Sequence, residues 1–163
     1  MQTTEYDIVV VEFPEINLDA KVVERAAIYD GKLQAGQRAL IVGRGGAEKG
    51  VNTNVLRGAI NIIGKPEVCG IEDNNGPGIC LSVDLTPGVA ACRGDSGSGM
   101  FVNDSGHLKL IGFDSVGWGG ATLDCGSKGA KHLYVNVLYS LDFIQQTTGL
   151  SREYLVGRSG DAS

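Results

Sequence analysis

The sequence predicts an all-β fold, either an antiparallel barrel or a sandwich, and three observations lead to this prediction. Several short segments of β-branched and aromatic residues are separated by turn residues. The chain contains 25 glycines and few helical patterns, which is typical of a turn-rich β protein. Predicted strands and helices do not alternate along the chain, so the sequence does not indicate a parallel sheet. With 163 residues, the chain is long enough for one domain with a hydrophobic core.

The predicted strands are short segments that alternate apolar with polar residues or are rich in β-branched residues. The first ends at Pro14, the second runs into a glycine-rich turn, and the third ends at Gly64-Lys65-Pro66. The fifth and sixth lie on either side of a turn at residues 103–106 and therefore predict a hairpin. In chain order, the predicted strands cover residues 6–13, 38–42, 55–63, 79–83, 100–102, 108–113 and 132–138.

One helix is predicted, at residues 139–148, and Gly149 is expected to end it. Residues 14–37 are predicted to connect the first two strands, although residues 20–29 also fit a helical pattern. Residues 150–163 are expected to form a frayed tail.

The charge of the chain limits its partners. The net charge is −5 and the isoelectric point is about 5.0, which argues against binding to nucleic acid or to an anionic membrane. No apolar run approaches the roughly 18 residues that a membrane-spanning helix needs. We therefore expect no nucleic acid and no membrane among the partners.

The cysteines point to disulfides and not to a metal. No Cys-x-x-Cys pair occurs, and the sequence contains two histidines, so neither a metal site nor a cofactor is expected. An even number of cysteines in a glycine-rich β chain favours two disulfides and an oxidising compartment. The chain begins without a signal-peptide pattern, so we expect that residue 1 is not the natural beginning. The cysteines are Cys69, Cys80, Cys92 and Cys125.

The most informative segment is residues 91–101, which read Ala-Cys-Arg-Gly-Asp-Ser-Gly-Ser-Gly-Met-Phe. Glycines on both sides of Ser96 let the backbone bend tightly and let a substrate approach. A serine so placed can act as a nucleophile, and the amides of Gly94 and Ser96 can donate to an oxyanion. Two other interpretations stay open: a polar surface turn, and an integrin-type adhesion tripeptide at Arg93-Gly94-Asp95.

This segment resembles the active-site loop of the trypsin/chymotrypsin-like serine proteases, Cys-x-Gly-Asp-Ser-Gly-Gly-Pro, with Ser98-Gly99 in place of Gly-Pro. Further segments resemble pieces of the same family in the same order, and the resemblance covers residues 6–148. They include the aspartate segment at residues 6–9, the strand that binds the substrate backbone at residues 111–117 and the terminal helix. Residues 133–137, Leu-Tyr-Val-Asn-Val, resemble the family's Val-Tyr-x-x-Val.

The resemblance implies a chymotrypsin-type antiparallel β-barrel within a partial protease domain. A remnant of the first barrel is expected at residues 1–13, and a linker and the second barrel at residues 14–138. The C-terminal helix would follow at residues 139–148, and a tail at residues 149–163. The resemblance also implies the disulfides Cys69–Cys80 and Cys92–Cys125.

The implied activity is serine endopeptidase chemistry on a peptide or protein substrate, in a secreted enzyme. The resemblance makes Ser96 the nucleophile, gives the oxyanion hole to the amides of Gly94 and Ser96, and makes Asp7 the residue that orients the base, with Ser115 hydrogen-bonded to Asp7. The implied specificity pocket has Ala90 at its base, Gly117 on one wall and His132 at its rim or base. An alanine at the base favours a small or apolar substrate side chain.

The catalytic base has no candidate in this sequence. The family places its histidine in a Thr-Ala-Ala-His-Cys motif before the aspartate, and only six residues precede Asp7. Neither His107, expected in a hairpin turn, nor His132, expected at the pocket, should bridge Asp7 and Ser96. Asp95 likewise lacks the free amino terminus with which the family pairs it. The chain alone is therefore expected to be inactive.

Three explanations for the absent base stay open. The chain is a piece of a longer secreted protease, or one half of a noncovalent pair whose other chain carries the histidine. Alternatively, it is a catalytically dead protease homologue that acts as a binding module.

Overall fold

The computed structural model describes residues 7–14, 24–47, 51–52, 55–120 and 125–158. Antiparallel sheet dominates this part of the chain, and helices are few. Six strands form one curled sheet, and a bridge between Ile63 and Leu81 joins its two end strands. The predicted all-β antiparallel fold of the chymotrypsin type is thus confirmed.

The sheet has the strand order β4-β1-β6-β7-β8-β5, and β2 and β3 form a separate two-stranded ribbon. Short 3₁₀ turns follow β4 at Pro66–Cys69 and β5 at Val83–Leu85. The elements in chain order are β1 Arg38–Gly43, β2 Gly46–Ala47, β3 Val51–Asn52, β4 Arg57–Ile62, β5 Gly78–Ser82, β6 Gly99–Asp104, β7 His107–Trp118, β8 Lys131–Asn136, α1 Leu141–Thr148 and α2 Arg152–Leu155.

The core fills the inside of the curled sheet. Alternate residues of β1 and β6 point inward, so that Ala39, Ile41, Met100 and Val102 are buried, as the period of a strand dictates. Strand β5 is buried along its whole length because other elements cover both of its faces. The main core cluster consists of Leu33, Ala39, Ile41, Ile63, Ile79, Leu81, Ala91, Met100, Val102, Ile111 and Tyr134.

A β-bulge in β7 shapes the face that carries the candidate site. Asp114 lies opposite Tyr134 of β8, Val116 lies opposite Leu133, and Ser115 between them has no residue opposite it. Such a bulge redirects the side chains next to it. It brings Asp114 and Ser115 of one strand to the same edge of the barrel.

Two N-terminal predictions differ from the structure. Residues 7–14 have no ladder partner among the described residues, although their composition favours a strand, because a strand also needs a neighbour. Residues 24–29 are not helical, and Ile28 instead forms a bridge with Leu110. The remaining parts of these two predictions, residue 6 and residues 20–23, lie outside the described residues.

The C-terminal segment is packed where a frayed tail was expected. Helix α1 ends at Gly149 as predicted, and Ser151 then begins α2 by accepting a hydrogen bond from the Tyr154 amide at 3.1 Å. Val156 is buried with Ile28, Val137 and Leu141. Val156, with Leu155 packed beside it, therefore belongs to the core, while residues 159–163 lie outside the described part.

Both implied disulfides are formed. Cys69 and Cys80 have Cα atoms 5.7 Å apart, and Cys92 and Cys125 have Cα atoms 5.3 Å apart. Within the described ranges, no helix combines the length and the apolar composition needed to cross a membrane.

Candidate active site

The loop between Cys92 and Ser98 consists of two tight turns. The Asp95 amide donates to the Cys92 carbonyl at 2.9 Å, and the Ser98 amide donates to the Asp95 carbonyl at 2.8 Å. Gly94 and Gly97 adopt φ values of 95° and 79°, a region that residues with a Cβ rarely occupy. The exposed Ser96 lies between these two glycines, at the tip of the loop.

Strand β7 holds this loop in place. The Gly97 amide donates to the Asp114 carbonyl at 2.7 Å, and the Asp114 amide donates to the Ser98 carbonyl at 2.9 Å. Both bonds lie directly after Ser96, so they attach this end of the loop to the bulged part of β7.

The amides expected to form the oxyanion hole are unused. In the part of the chain that the structure describes, neither the Gly94 nor the Ser96 amide donates a hydrogen bond. Backbone amides that face a reacting carbonyl without an internal partner are the usual elements of an oxyanion hole. The arrangement leaves both donors available to a substrate oxygen.

Asp7 and Ser115 come together as the sequence implied. The Ser115 hydroxyl donates a hydrogen bond to Oδ2 of Asp7, 108 positions away in the chain. Ser96, Asp7 and Ser115 line one cavity of about 350 Å³. This cavity separates the expected nucleophile from the expected orienting carboxylate.

Asp95 has backbone partners that the sequence did not reveal. Its Oδ1 accepts from the Gly45 amide at 2.7 Å, and its Oδ2 accepts from the Cys92 amide at 2.8 Å. A Cβ atom on Gly43 or Gly45 would overlap this carboxylate. The glycine-rich end of β1 therefore makes room for Asp95 and binds it.

A second cavity, of about 340 Å³, also has Ser96 in its wall. Ser115, Gly117 and His132 line it, as implied for the specificity pocket. The His132 ring lies directly beside Gly117, where a Cβ would come within 2.6 Å of the imidazole. Ala90 lines a different cavity of about 690 Å³, together with Asp95 and Tyr134.

Asp114 is a site residue that the sequence analysis missed. It lines both cavities beside Ser96 and is buried, with 8% of its surface exposed. The available signal was a carboxylate after the apolar segment Ile111-Gly112-Phe113, directly before Ser115. Its significance became visible only from the pairing of β7 with β8.

The two histidines lie near opposite ends of β7, His107 in that strand and His132 in the neighbouring β8. His107 is exposed at the start of the strand, opposite Asp104. His132 is buried opposite Gly117 near the other end. Neither ring forms a hydrogen bond to Asp7 or Ser96 among the described residues.

The Tyr134 hydroxyl is close enough to Asp114 and to Asp95 to be affected by both charges. Burial raises the pKa of its hydroxyl, and the charges of Asp114 and Asp95 raise it further. The phenol therefore stays protonated, and its electrostatic surroundings are negative.

The curled antiparallel barrel carries a serine between two glycines and two free backbone amides beside it. An aspartate hydrogen-bonded to a second serine lies across the same cavity. These features together are those of a serine-protease-like domain. The protein-family model for trypsin matches residues 1–144 of this chain. The chain belongs to the trypsin family.

Proposed function

We propose that this domain is the part of a serine endopeptidase that carries the nucleophile, with Ser96 forming the acyl-enzyme. The observation that carries this proposal is the position of Ser96. It is exposed between two left-handed glycines, next to the free amides of Gly94 and Ser96, and it shares a cavity with Asp7.

The reaction would follow from this geometry. The Ser96 hydroxyl oxygen attacks the peptide carbonyl while a base takes its proton, and the resulting oxyanion accepts hydrogen bonds from the two amides. The base returns the proton to the leaving amine as the C–N bond breaks. Water then attacks the acyl-enzyme and releases Ser96.

The base must come from outside this sequence. Its two histidines are held at other places, whereas the 350 Å³ cavity between Asp7 and Ser96 is large enough for an imidazole ring. We propose that a preceding segment or a partner chain inserts a histidine there, with its ring hydrogen-bonded to Asp7. The hydrogen bond from Ser115 would hold the Asp7 carboxylate in position for that contact.

A serine-directed phosphonate probe tests this function. We expect labelling of Ser96 in the gene product that includes the upstream sequence, and little labelling in the 163-residue chain. Ser96→Ala in the longer protein should abolish labelling, while Ser105→Ala, in an exposed turn, should not. A longer protein that folds but is not labelled would refute the endopeptidase proposal and favour a binding module.

A second part of this proposal concerns the compartment in which the protein acts. Trypsin-like domains with disulfides are typical of extracellular proteins, and this chain forms two. We propose that the protein is secreted and acts on peptides or proteins outside the cell. Recovery of the longer protein, oxidised, from the medium of its source cells would support this.

A further inference from the structure

The end of the β6–β7 hairpin carries a motif that the proposed activity does not use. Residues 103–105 read Asn-Asp-Ser, and no other Asn-x-Ser or Asn-x-Thr sequence occurs in the 163 residues. Such a sequence, with any middle residue except proline, is the acceptor motif for N-linked glycosylation. Because asparagine, aspartate and serine are also common in turns, the structure of the hairpin end decides whether the motif is usable.

A tight two-residue turn joins the strands of this hairpin. Asp104 pairs with His107, and Ser105 and Gly106 between them adopt φ values of 55° and 92°. Positive φ values at both central residues match the right-handed twist of the two strands. The Gly106 amide donates to Oδ1 of Asn103 at 2.9 Å. The oxygen of the side-chain amide is thus held in the turn.

The nitrogen of the same side-chain amide is free. Asn103 is exposed, and among the described residues its Nδ2 donates no hydrogen bond. The turn uses the oxygen alone, which an aspartate at this position would also supply. The exposed Ser105 hydroxyl lies 3.5 Å from Oδ1 of Asp104, too far for a strong hydrogen bond. Both functional groups of the motif are therefore open to another molecule.

The hairpin end also has space for a sugar. The pairing of β6 with β1 covers Met100 and Phe101, and the pairing of β7 with β8 begins at Gly112. Within the described ranges, residues 103–108 therefore pair with each other and with no further strand. A group attached to Asn103 has no neighbouring strand of the sheet beside it.

The surroundings of Asn103 suit a glycan. Leu108 lies opposite Asn103 on the same face of the hairpin, and 50% of its surface is exposed. A sugar on Nδ2 would cover part of this apolar surface. From His107 to Asp114, next to the loop that carries Ser96, the strand runs about 23 Å. A glycan at the hairpin end therefore leaves the candidate active site open.

We propose that Asn103 carries an N-linked glycan. The donor is an oligosaccharide linked to a lipid through a diphosphate. Nδ2 of Asn103 forms a bond to the anomeric carbon of the first sugar, the bond from that carbon to the diphosphate breaks, and Nδ2 gives up one proton. No group is oxidised or reduced.

This inference rests on the proposed secretion and not on the activity of Ser96. The lipid-linked donor and its transferase belong to the oxidising lumen of the secretory pathway. Disulfides such as Cys69–Cys80 and Cys92–Cys125 form in the same compartment.

Peptide mapping of the longer gene product, expressed in a eukaryotic host that secretes proteins, tests the proposal. A peptide N-glycosidase releases the oligosaccharide and converts its asparagine to aspartate, and heavy-oxygen water marks the new carboxyl group. We expect the peptide that contains Asn103 to be marked after this treatment and unmarked without the enzyme. An unmarked peptide from the secreted, disulfide-bonded protein would overturn the proposal.

Three variants separate the motif from the turn. Asn103→Asp keeps the oxygen that accepts from Gly106 and removes the acceptor nitrogen, so it should fold and carry no glycan. Ser105→Ala keeps the nitrogen but removes the hydroxyl, and should also lose the glycan. Ser105→Thr retains a hydroxyl and should keep the glycan. A glycan on Asn103 that persists in Ser105→Ala would show that the motif is not responsible.

Glycosylation and phosphonate labelling fail independently. Labelling of Ser96 in a secreted protein without a glycan at Asn103 would refute this inference alone. A glycan at Asn103 without labelling of Ser96 would refute the endopeptidase proposal alone. A longer protein that stays in the cytosol with free cysteines would refute the proposed secretion and the glycan together.

Discussion

Glycines next to the Asp95 carboxylate shape the active-site loop. Both of its oxygens accept backbone amides, one from the end of β1 and one from the loop itself. Gly45 donates one of these bonds and has no Cβ to obstruct it. The loop that positions Ser96 is therefore attached to the barrel at a point where glycine is required.

Gly45→Ala tests this requirement. The added Cβ would overlap the Asp95 carboxylate, so we expect a loss of about 1–3 kcal/mol in the free energy of unfolding. Urea denaturation measures it. Gly46→Ala is the matched control, because a Cβ there would lie 3.6 Å from the Arg93 carbonyl oxygen, an ordinary contact. Equal losses at the two positions would show that Asp95 is not the cause.

The residues of the site differ in how far the sequence could predict them. Ser96 and its two amides belong to one local motif, so the sequence contains their arrangement. The contact of Asp7 with Ser115 followed from resemblance and is present in the structure. Asp114 was missed because its burial depends on the bulge and on the register of β7 with β8, which no local pattern reveals.

At the scale of elements, β6 and β7 form the predicted hairpin, but with longer strands. An ion pair between Lys109 and Asp104, with Nζ and Oδ2 2.8 Å apart, lies beside its turn. The hydrogen bond from Lys109 lowers the pKa of Asp104 from its usual value. The hairpin therefore carries a small acid-sensitive contact at its exposed end.

Lys109→Met should raise the pKa of Asp104 toward the value of a free aspartate, about 3.9. A lowered pKa stabilises the folded state above the unfolded-state pKa, and this contribution disappears as the pH falls through the folded-state pKa. The variant should thus lose that acid dependence. An NMR titration of the Asp104 carboxyl measures the shift, and Lys128→Met, at an exposed distant site, should leave it unchanged.

The strands of the barrel were predicted well, and the segments outside it were not. Residues 38–42 and 79–83 agree with β1 and β5 within one residue at each end, because short apolar and β-branched segments between turn residues are typical of strands. Residues 150–163 were expected to form a frayed tail, whereas residues 152–155 form α2. Their order comes from Val156, which finds its partners on distant elements.

Val156→Ala tests whether the C-terminal segment supports the fold. Removal of two buried methyl groups should lower the free energy of unfolding by about 2 kcal/mol. Urea denaturation followed by circular dichroism measures the change. Leu150→Ala, at a largely exposed position, should cost less than about 1 kcal/mol. A cost for Val156→Ala as small as this control would show that the tail is frayed.

At the scale of the whole molecule, the two disulfides differ in the length of chain that they close. Cys92–Cys125 spans 33 positions and Cys69–Cys80 spans 11. Cys92 and Cys125 also line both the 690 Å³ and the 340 Å³ cavities. One disulfide therefore supports the candidate site as well as the fold.

Replacement of each cysteine pair by serines should destabilise the fold to different degrees. Loop-closure entropy predicts a loss of about 4 kcal/mol for Cys92–Cys125 and about 3 kcal/mol for Cys69–Cys80. Urea denaturation compares the two variants, and non-reducing peptide mapping of the unmodified chain checks the pairing. A larger loss for the shorter loop, or a peptide that joins Cys80 to Cys92, would contradict this account.

The single bridge between Ile63 and Leu81 also determines how the barrel can open. Across the described residues, β4 pairs with β1 over six residues, but meets β5 at this one bridge. Transient separation of strands should therefore begin at this bridge, because fewer hydrogen bonds break there than between β4 and β1. Cys69 follows β4 and Cys80 lies in β5, so their covalent bond limits how far the sheet can unroll. We expect opening along this line to leave the pairing of β6, β7 and β8 intact, and with it the position of Ser96.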